Sequence, residues 1–203
     1  MLKERQDLLK VDPVLKEIIT TIPFPEIEST ENVFHDLISC VLEQQIHYRS
    51  TKKIFQKMLE KANITILTPS NFSQFEKKGL EDIKLSVRKY ETLMNIVQYW
   101  ELNDVKWSEL LDYEIRNKLL QIKGVGNWSI DMILIYTLNR PNVFSLDDFH
   151  MKQIMTRLYG LNPNSNLKSK MKQISMSWSP FMSTAFLYLL EWKKFYKSTN
   201  KKS

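Results

Sequence analysis

Two glycines two positions apart, Gly124 and Gly126 in IKGVGNWSID, and two adjacent carboxylates, Asp147 and Asp148 in SLDDFHMKQI, are the residues whose types and spacing could do chemistry. Glycines so spaced let backbone N–H groups approach a phosphate, whether of a dinucleotide or of a nucleic-acid chain. A dinucleotide loop requires G-x-G-x-x-G after a β-strand, with an acid about 20 residues later. Gly124, Gly126 and either aspartate imitate that pattern, but Ser129 stands in place of the third glycine. The preceding LLDYEIRNKLLQI carries leucine and isoleucine at helical spacing with charges between them. Helix, GVG, helix is a helix-hairpin-helix, in which small residues and the positive end of the second helix favour an anion without any charged side chain. An ordinary αα-turn that uses glycine for its positive φ remains the alternative. Taken alone, an aspartate in SLDDFHMKQI reads as a helix N-cap.

Composition narrows the choice. The chain has 203 residues, 43% of them hydrophobic, which is ample for a buried core. No run of about 18 uncharged apolar residues occurs, and MLKERQDLLKVDP lacks the apolar centre of a signal peptide, so neither membrane nor secretion is indicated. The single cysteine, Cys40, lies in LISCVL as a core residue and excludes internal disulfides, cysteine-rich zinc sites and four-cysteine iron–sulfur clusters. His35, His47 and His150 have no metal-ligand spacing. The net charge is +6, but the five lysines of the last eleven residues account for all except +1 of it. Local clusters are more telling, with Arg49, Lys52, Lys53 and Lys57 in one segment and Arg88 with Lys89 in another.

The elements that must position these residues read as helices. Four glycines in the whole chain leave little for tight hairpins. Apolar residues recur at helical spacing in Phe34, Leu37, Ile38, Val41 and Leu42, in Leu93, Ile96, Val97 and Trp100, and in Met132, Ile133, Ile135, Tyr136 and Leu138. Asp12 before Pro13, Ser70 after Pro69 and Gly160 closing LYG mark helix ends. About ten helices are expected, near 13–21, 31–43, 48–62, 70–76, 86–101, 107–120, 126–138, 147–159, 165–177 and 180–197. IPFPEIEST, residues 22–30, is the one internal boundary, where the first helix crosses to join the last ones.

The stretch LLQIKGVGNWSIDMILIYTLNRPNVFSLDDFHMKQIMTRLYGL closely resembles the helix-hairpin-helix DNA glycosylase superfamily, of the 3-methyladenine DNA glycosylase II type. Gly124, Gly126, Trp128, Ser129, Arg140, Pro141, Val143, Phe144, Asp148, Met151 and Lys152 carry the match. HDLISCVLEQQIHYRSTKKIF resembles the family's helix, Gln-Gln turn, helix segment, and LSVRKYETL and WSPFMSTAFLYLLEW match further pieces, so that residues 30 to 192 are covered.

The resemblance implies roles residue by residue. Asp148 becomes the catalytic carboxylate, which would stabilise an oxocarbenium-like sugar and orient or deprotonate the attacking water; Asp147 is its rival, and only the register against the family's pattern separates them. Trp128 stands where strand-cleaving relatives carry a lysine nucleophile, which implies a hydrolase without lyase activity. The base pocket would comprise Trp128, Phe149, Met132 and Leu190, less aromatic than in some relatives. Gln45 would fill the gap left by a flipped nucleotide, while Gly124, Gly126, Asn127, Arg49 and Lys52 would contact the DNA backbone. A monovalent cation, sodium or potassium, would rest on the backbone carbonyls of Leu120, Ile122 and Val125, with no organic cofactor.

The reading is therefore an all-α, two-lobed HhH-GPD glycosylase, with one lobe at about 31–143, the other at about 1–30 plus 144–203, and the DNA cleft between them with Asp148 at its floor. It implies a monomer acting on damaged bases in double-stranded DNA, cytoplasmic and nucleoid-associated in a bacterium or nuclear in a eukaryote. A non-catalytic helix-hairpin-helix damage-binding protein is the main alternative, and a cofactor-dependent enzyme is the third.

Overall fold

The computed structural model describes residues 2–27, 29–43 and 48–199, the side chains of residues 2, 48–53 and 197–199 excepted. Among the described residues the helices are α1 Leu2–Val11, α2 Pro13–Thr21, α3 Val33–Leu42, α4 Tyr48–Ala62, α5 Phe72–Gln74, α6 Val87–Leu102, α7 Asp112–Leu120, α8 Asn127–Met132, α9 Phe149–Leu158, α10 Leu167–Met176 and α11 Met182–Thr199. They contain no strand, so the all-α expectation holds. The chain divides into two compact units, Met1–Glu28 with Asn139–Ser203, and Ser29–Leu138.

In the Ser29–Leu138 unit, α3 is buried along all ten of its residues. A helix so enclosed must satisfy its own polar side chains. His35 Nδ1 accepts from the Leu67 amide at 2.9 Å. Asp36 accepts from Thr30 at 2.8 Å and from Thr137 at 2.7 Å. The second of these bonds ties α3 to the π-helical turn Ile133–Thr137 that extends α8. Phe34, Phe72, Phe75 and Phe55 form a chain of ring contacts, with centroids 5.7 to 6.4 Å apart, that packs α4 and α5 beside α3.

In the other unit, one carboxylate joins three elements. Asp12 caps α2, its Oδ1 accepting from the amides of Val14 at 2.8 Å and Leu15 at 3.0 Å. Its Oδ2 accepts from the Trp178 indole at 2.8 Å and the Tyr159 hydroxyl at 2.9 Å. Burial, with Asp12 alongside, pushes the Tyr159 phenol far above its ordinary ionisation range. Gly160, at φ +60, ends α9 beyond Tyr159, and the Leu161 amide reaches back to the Thr156 carbonyl at 3.1 Å, the left-handed C-terminal motif that LYG predicts. Phe24, from the crossing segment, packs edge-on against Tyr188 of α11 at 5.9 Å.

Three expected boundaries change. The helix expected at 107–120 is broken into a 3₁₀ turn, Trp107–Glu109, and α7, because Leu110 and Leu111 take extended backbone and Glu114 accepts the Leu111 amide at 2.8 Å. Leu2–Val11, outside the expected helices, forms α1; Leu8 is buried, Arg5 donates to the Ile19 carbonyl at 3.0 Å and Glu4 accepts from Thr184 at 3.0 Å. Residues 139–143 belong with α11 rather than with the hairpin's unit. Ser183 explains this: its amide donates to the Pro141 carbonyl at 2.9 Å, and its hydroxyl oxygen accepts the Val143 amide at 3.0 Å.

Tyr159→Phe removes one of the donors to Asp12 and is expected to cost about 1 kcal/mol at neutral pH. The raised phenol favours the protonated folded state, so the stability Tyr159 contributes is present below about pH 10 and is lost as pH rises above it. Urea unfolding across that range should show a shallower alkaline decline in the variant; identical curves would refute the shared role of Asp12.

Candidate functional site

The hairpin between α7 and α8 is built on α6. Turn bonds from Gln121 to Lys118, Ile122 to Leu119 and Val125 to Ile122, at 3.0 to 3.2 Å, reverse the chain. Gly124 sits at φ +98, and a β-carbon there would come within 2.1 Å of Thr92 Oγ1. Thr92 is itself fixed, donating to the Arg88 carbonyl at 2.8 Å. One turn further along α6, Asn95 donates to the Lys123 carbonyl at 2.9 Å. Gly124 is therefore a close-packing glycine against α6.

Gly126 differs in kind. Its φ of −116 suits any residue, and a β-carbon would meet nothing within 4 Å. Among the described residues no side chain caps α8, which starts at the exposed Asn127. Among the described residues nothing requires glycine at 126, so the hairpin is open on that side to an outside group. Arg116 of α7 clamps Asp131 of α8 at 2.6 Å, with the Asp131 side chain only 7% exposed. That charge-assisted bond holds the two hairpin helices together and is worth about 2 kcal/mol.

The two aspartates occupy different environments. Asp148, 7% exposed, is the N-cap of α9, and its Oδ1 accepts the Met151 amide at 2.7 Å. Asp147 is more open, forms an ion pair with Lys168 of α10, and has Lys152 at 4.0 Å. Asp147 is thus engaged by surface lysines, whereas Asp148 is fixed by the start of a helix. Around Asp148, Phe149 is 65% exposed with its ring edge-on to His150 at 5.5 Å. Lys193 of α11 reaches His150 Nδ1 at 2.6 Å and Gln153 at 2.7 Å.

Of the other candidates, Trp128 is half-buried in the first turn of α8 and Met132, one turn later, is 1% exposed. Leu190 is half-buried on α11. Leu120 is exposed, while Ile122 and Val125 are buried. Gln45 lies outside the described residues; Arg49 and Lys52 lie on α4, but their side chains do not belong to the described set. Among the described residues no group of three or more histidine, cysteine, aspartate or glutamate side chains could hold a metal ion. No described helix is long and apolar enough to cross a membrane. Thr92, Asn95, Arg116 and Asp131 are site-building residues that sequence reasoning missed. Their partners lie 15 to 32 positions away, beyond any local pattern.

Residues 38–181 match the family described as HhH-GPD superfamily base excision DNA repair protein. The chain belongs to the HhH-GPD superfamily. It is 28% identical over 165 residues to DNA-3-methyladenine glycosylase 1 of Schizosaccharomyces pombe (strain 972 / ATCC 24843), an alignment covering 79% of this chain and 71% of that protein. The chain spans 58% of the length of another curated relative, from Bacillus subtilis (strain 168). Its fold is shared with the structure of Schizosaccharomyces pombe 3-methyladenine DNA glycosylase in complex with abasic DNA, with a TM-score of 0.75 at 24% identity, covering 92% of this chain and 94% of that one. The fold is also that of an 8-oxoguanine glycosylase/lyase from Clostridium acetobutylicum, with a TM-score of 0.69 at 19% identity, covering 93% and 69% of the two chains. HhH-GPD membership thus leaves hydrolase and lyase chemistry to be decided by side chains.

The two hairpin glycines make opposite demands. Gly124→Ala is expected to cost about 2 kcal/mol or more, from positive φ and the collision with Thr92. Gly126→Ala should stay within about 0.5 kcal/mol of the wild type in urea unfolding. Equal losses in the two variants would contradict the packing described.

Proposed function

We propose that this protein is a monofunctional DNA glycosylase of base excision repair that acts as a monomer on duplex DNA, flips out an alkylated purine of the 3-methyladenine or 7-methylguanine kind, and hydrolyses its N-glycosidic bond. The observation that carries the reading is Asp148: a carboxylate 7% exposed, held by the first turn of α9, in a chain of this superfamily. The names of the curated relatives support the same substrate class.

In the reaction the bond between the sugar C1′ and the base nitrogen breaks, and its electron pair leaves with the base. An N3- or N7-alkylated purine is already cationic, so it departs as a neutral molecule without a general acid. The Asp148 carboxylate stabilises the oxocarbenium-like sugar, orients the water that attacks C1′ and accepts its proton. A capping carboxylate suits this work, because its position is set by the helix rather than by a free rotamer. Asp147, held by lysines, is left as a surface charge.

Trp128 has no amine and cannot form a Schiff base with the sugar, which supports hydrolysis alone. Its indole would instead meet the cationic base, an interaction worth about 1 to 2 kcal/mol when water is excluded. Phe149, Met132 and Leu190 are the other residues proposed to meet the base, and such a mixture of aromatic and aliphatic side chains would tolerate several alkylated bases. The hairpin amides at Gly126 and Asn127 take a phosphate, with Arg49 and Lys52 contributing charge and Gln45 filling the vacated stack. The carbonyls of Leu120, Ile122 and Val125 would hold a monovalent cation beside that phosphate. Ile122 already accepts the Val125 amide at 3.0 Å, which leaves its second lone pair for such an ion.

Wild-type protein incubated with randomly methylated duplex DNA should release free 3-methyladenine or 7-methylguanine, leaving an abasic strand that is not nicked and not trapped by borohydride. A borohydride-trapped adduct would replace hydrolysis with lyase chemistry. No release, together with tight binding to abasic DNA, would make the protein a damage-binding module. Gly126→Ala should weaken binding to all duplexes alike, since phosphate contacts carry no sequence information; a loss confined to one lesion would contradict the hairpin's role.

A further inference from the structure

A cavity of about 540 Å³ opens within the Ser29–Leu138 unit, where the start of α3 meets the end of α6 and the turn that follows it. Part of its wall is aromatic. Trp100 and Trp107 stack with centroids 5.4 Å apart and planes inclined by 30°, and the buried Phe34 meets Trp100 edge-on at 5.4 Å. Tyr99 lies beside both indoles, edge-on to Trp100 at 5.5 Å and tilted against Trp107 at 6.4 Å. Glu31, Glu101 and Asp104, all exposed, also line the cavity. None of the three forms an ion pair among the described residues. Lys106, two positions beyond Asp104, pairs with Glu109 at 3.4 Å instead.

These features exclude some ligands and favour one chemistry. Three carboxylates repel phosphates, so the cavity does not belong to a DNA-binding face, although the chain as a whole is basic. An apolar ligand would satisfy the indoles but leave the carboxylates facing it. A bare metal ion would satisfy the carboxylates but not the stacked rings. A planar organic cation satisfies both, since its face lies against an indole while its N–H groups reach carboxylate oxygens. Guanidinium meets those requirements better than ammonium because it is planar, weakly hydrated and able to bond two oxygens in parallel.

We propose that the cavity lined by Trp100, Trp107, Glu31, Glu101 and Asp104 is a docking site for an arginine side chain on a basic segment of a partner protein. The cavity shares no lining residue with the hairpin and none with Asp148. Charge complementarity selects the occupant: a basic segment seats its arginine against the tryptophans and is held off by none of the cavity's own charges.

The test is a titration of the whole protein with the peptide acetyl-Gly-Arg-Gly-Arg-Gly-amide at about 0.15 M salt, followed by tryptophan fluorescence and by amide shifts in NMR. The same titration is run with the citrulline-for-arginine peptide, the lysine peptide and spermidine. The arginine peptide should bind saturably, shift the indole signals of Trp100 and Trp107, and bind about ten-fold tighter than the uncharged citrulline peptide. The double variant Glu101→Gln, Asp104→Asn changes only exposed side chains and keeps the fold; it should lose that ten-fold preference while Trp107→Ala loses binding altogether. Equal binding of the citrulline peptide would overturn the cationic assignment. Spermidine binding as tightly as the arginine peptide would assign the cavity to free polyamines and overturn the protein partner, and no saturable binding by any of these ligands would overturn the site itself.

Discussion

A carboxylate that closes a helix cannot wander, and that constraint governs the unit containing Asp148. Its bond to the Met151 amide fixes the start of α9, and it is buried there, whereas Asp147 is engaged by a lysine nearer the surface. The chain a few residues ahead of it is held as well, because Ser183 of α11 bonds to Arg140, Pro141 and Val143. Asp12 does for the rest of the unit what Asp148 does locally, tying α2 to the end of α9 and to Trp178 ahead of α11. Two capping aspartates thus set the directions of the helices on which the proposed chemistry rests.

The hairpin follows a different logic, with its two glycines divided between inside and outside. Gly124 exists for α6, whose Thr92 leaves no space for a side chain. Gly126 meets no such demand among the described residues, and the space beside it is what a phosphate backbone would use. The Arg116–Asp131 clamp keeps the hairpin helices in one geometry while that space stays open. Rigidity on the inner side and vacancy on the outer side are what a phosphate-binding turn needs, because donors fixed beforehand lose little entropy on binding.

Much of this was legible in the sequence, and what was not has a physical reason. Helix spacing and caps are local, so α3, α6, α9 and the cap residues Asp12 and Gly160 stood out from neighbouring residues alone. The break at Leu110 did not, because it depends on a side chain, Glu114, turning back to an amide rather than on any glycine or proline. Nor did α1, where Leu8 is buried, Arg5 reaches the Ile19 carbonyl of α2 and Glu4 meets Thr184, 180 positions away. Asp148 could be read as a cap from SLDDFHMKQI, but its separation from Asp147 required Lys168, twenty-one positions away. The bracing of Gly124 by Thr92 and the aromatic cavity beside Trp107 are likewise tertiary, set by which helices meet rather than by any run of residues.

The central claim is that one side chain both caps α9 and supplies the charge for base release, and a pair of substitutions separates those functions. Asparagine and serine cap helices about as well as aspartate but carry no charge. Single-turnover release of base from methylated duplex DNA, measured beside urea unfolding, is therefore the decisive comparison of wild type with Asp148→Asn and Asp148→Ser. The account predicts unfolding midpoints close to wild type, retained binding to abasic DNA and release slowed by about a thousand-fold or more in both variants. Release at wild-type rate in either stably folded variant would show that Asp148 is a helix cap alone and would contradict the account.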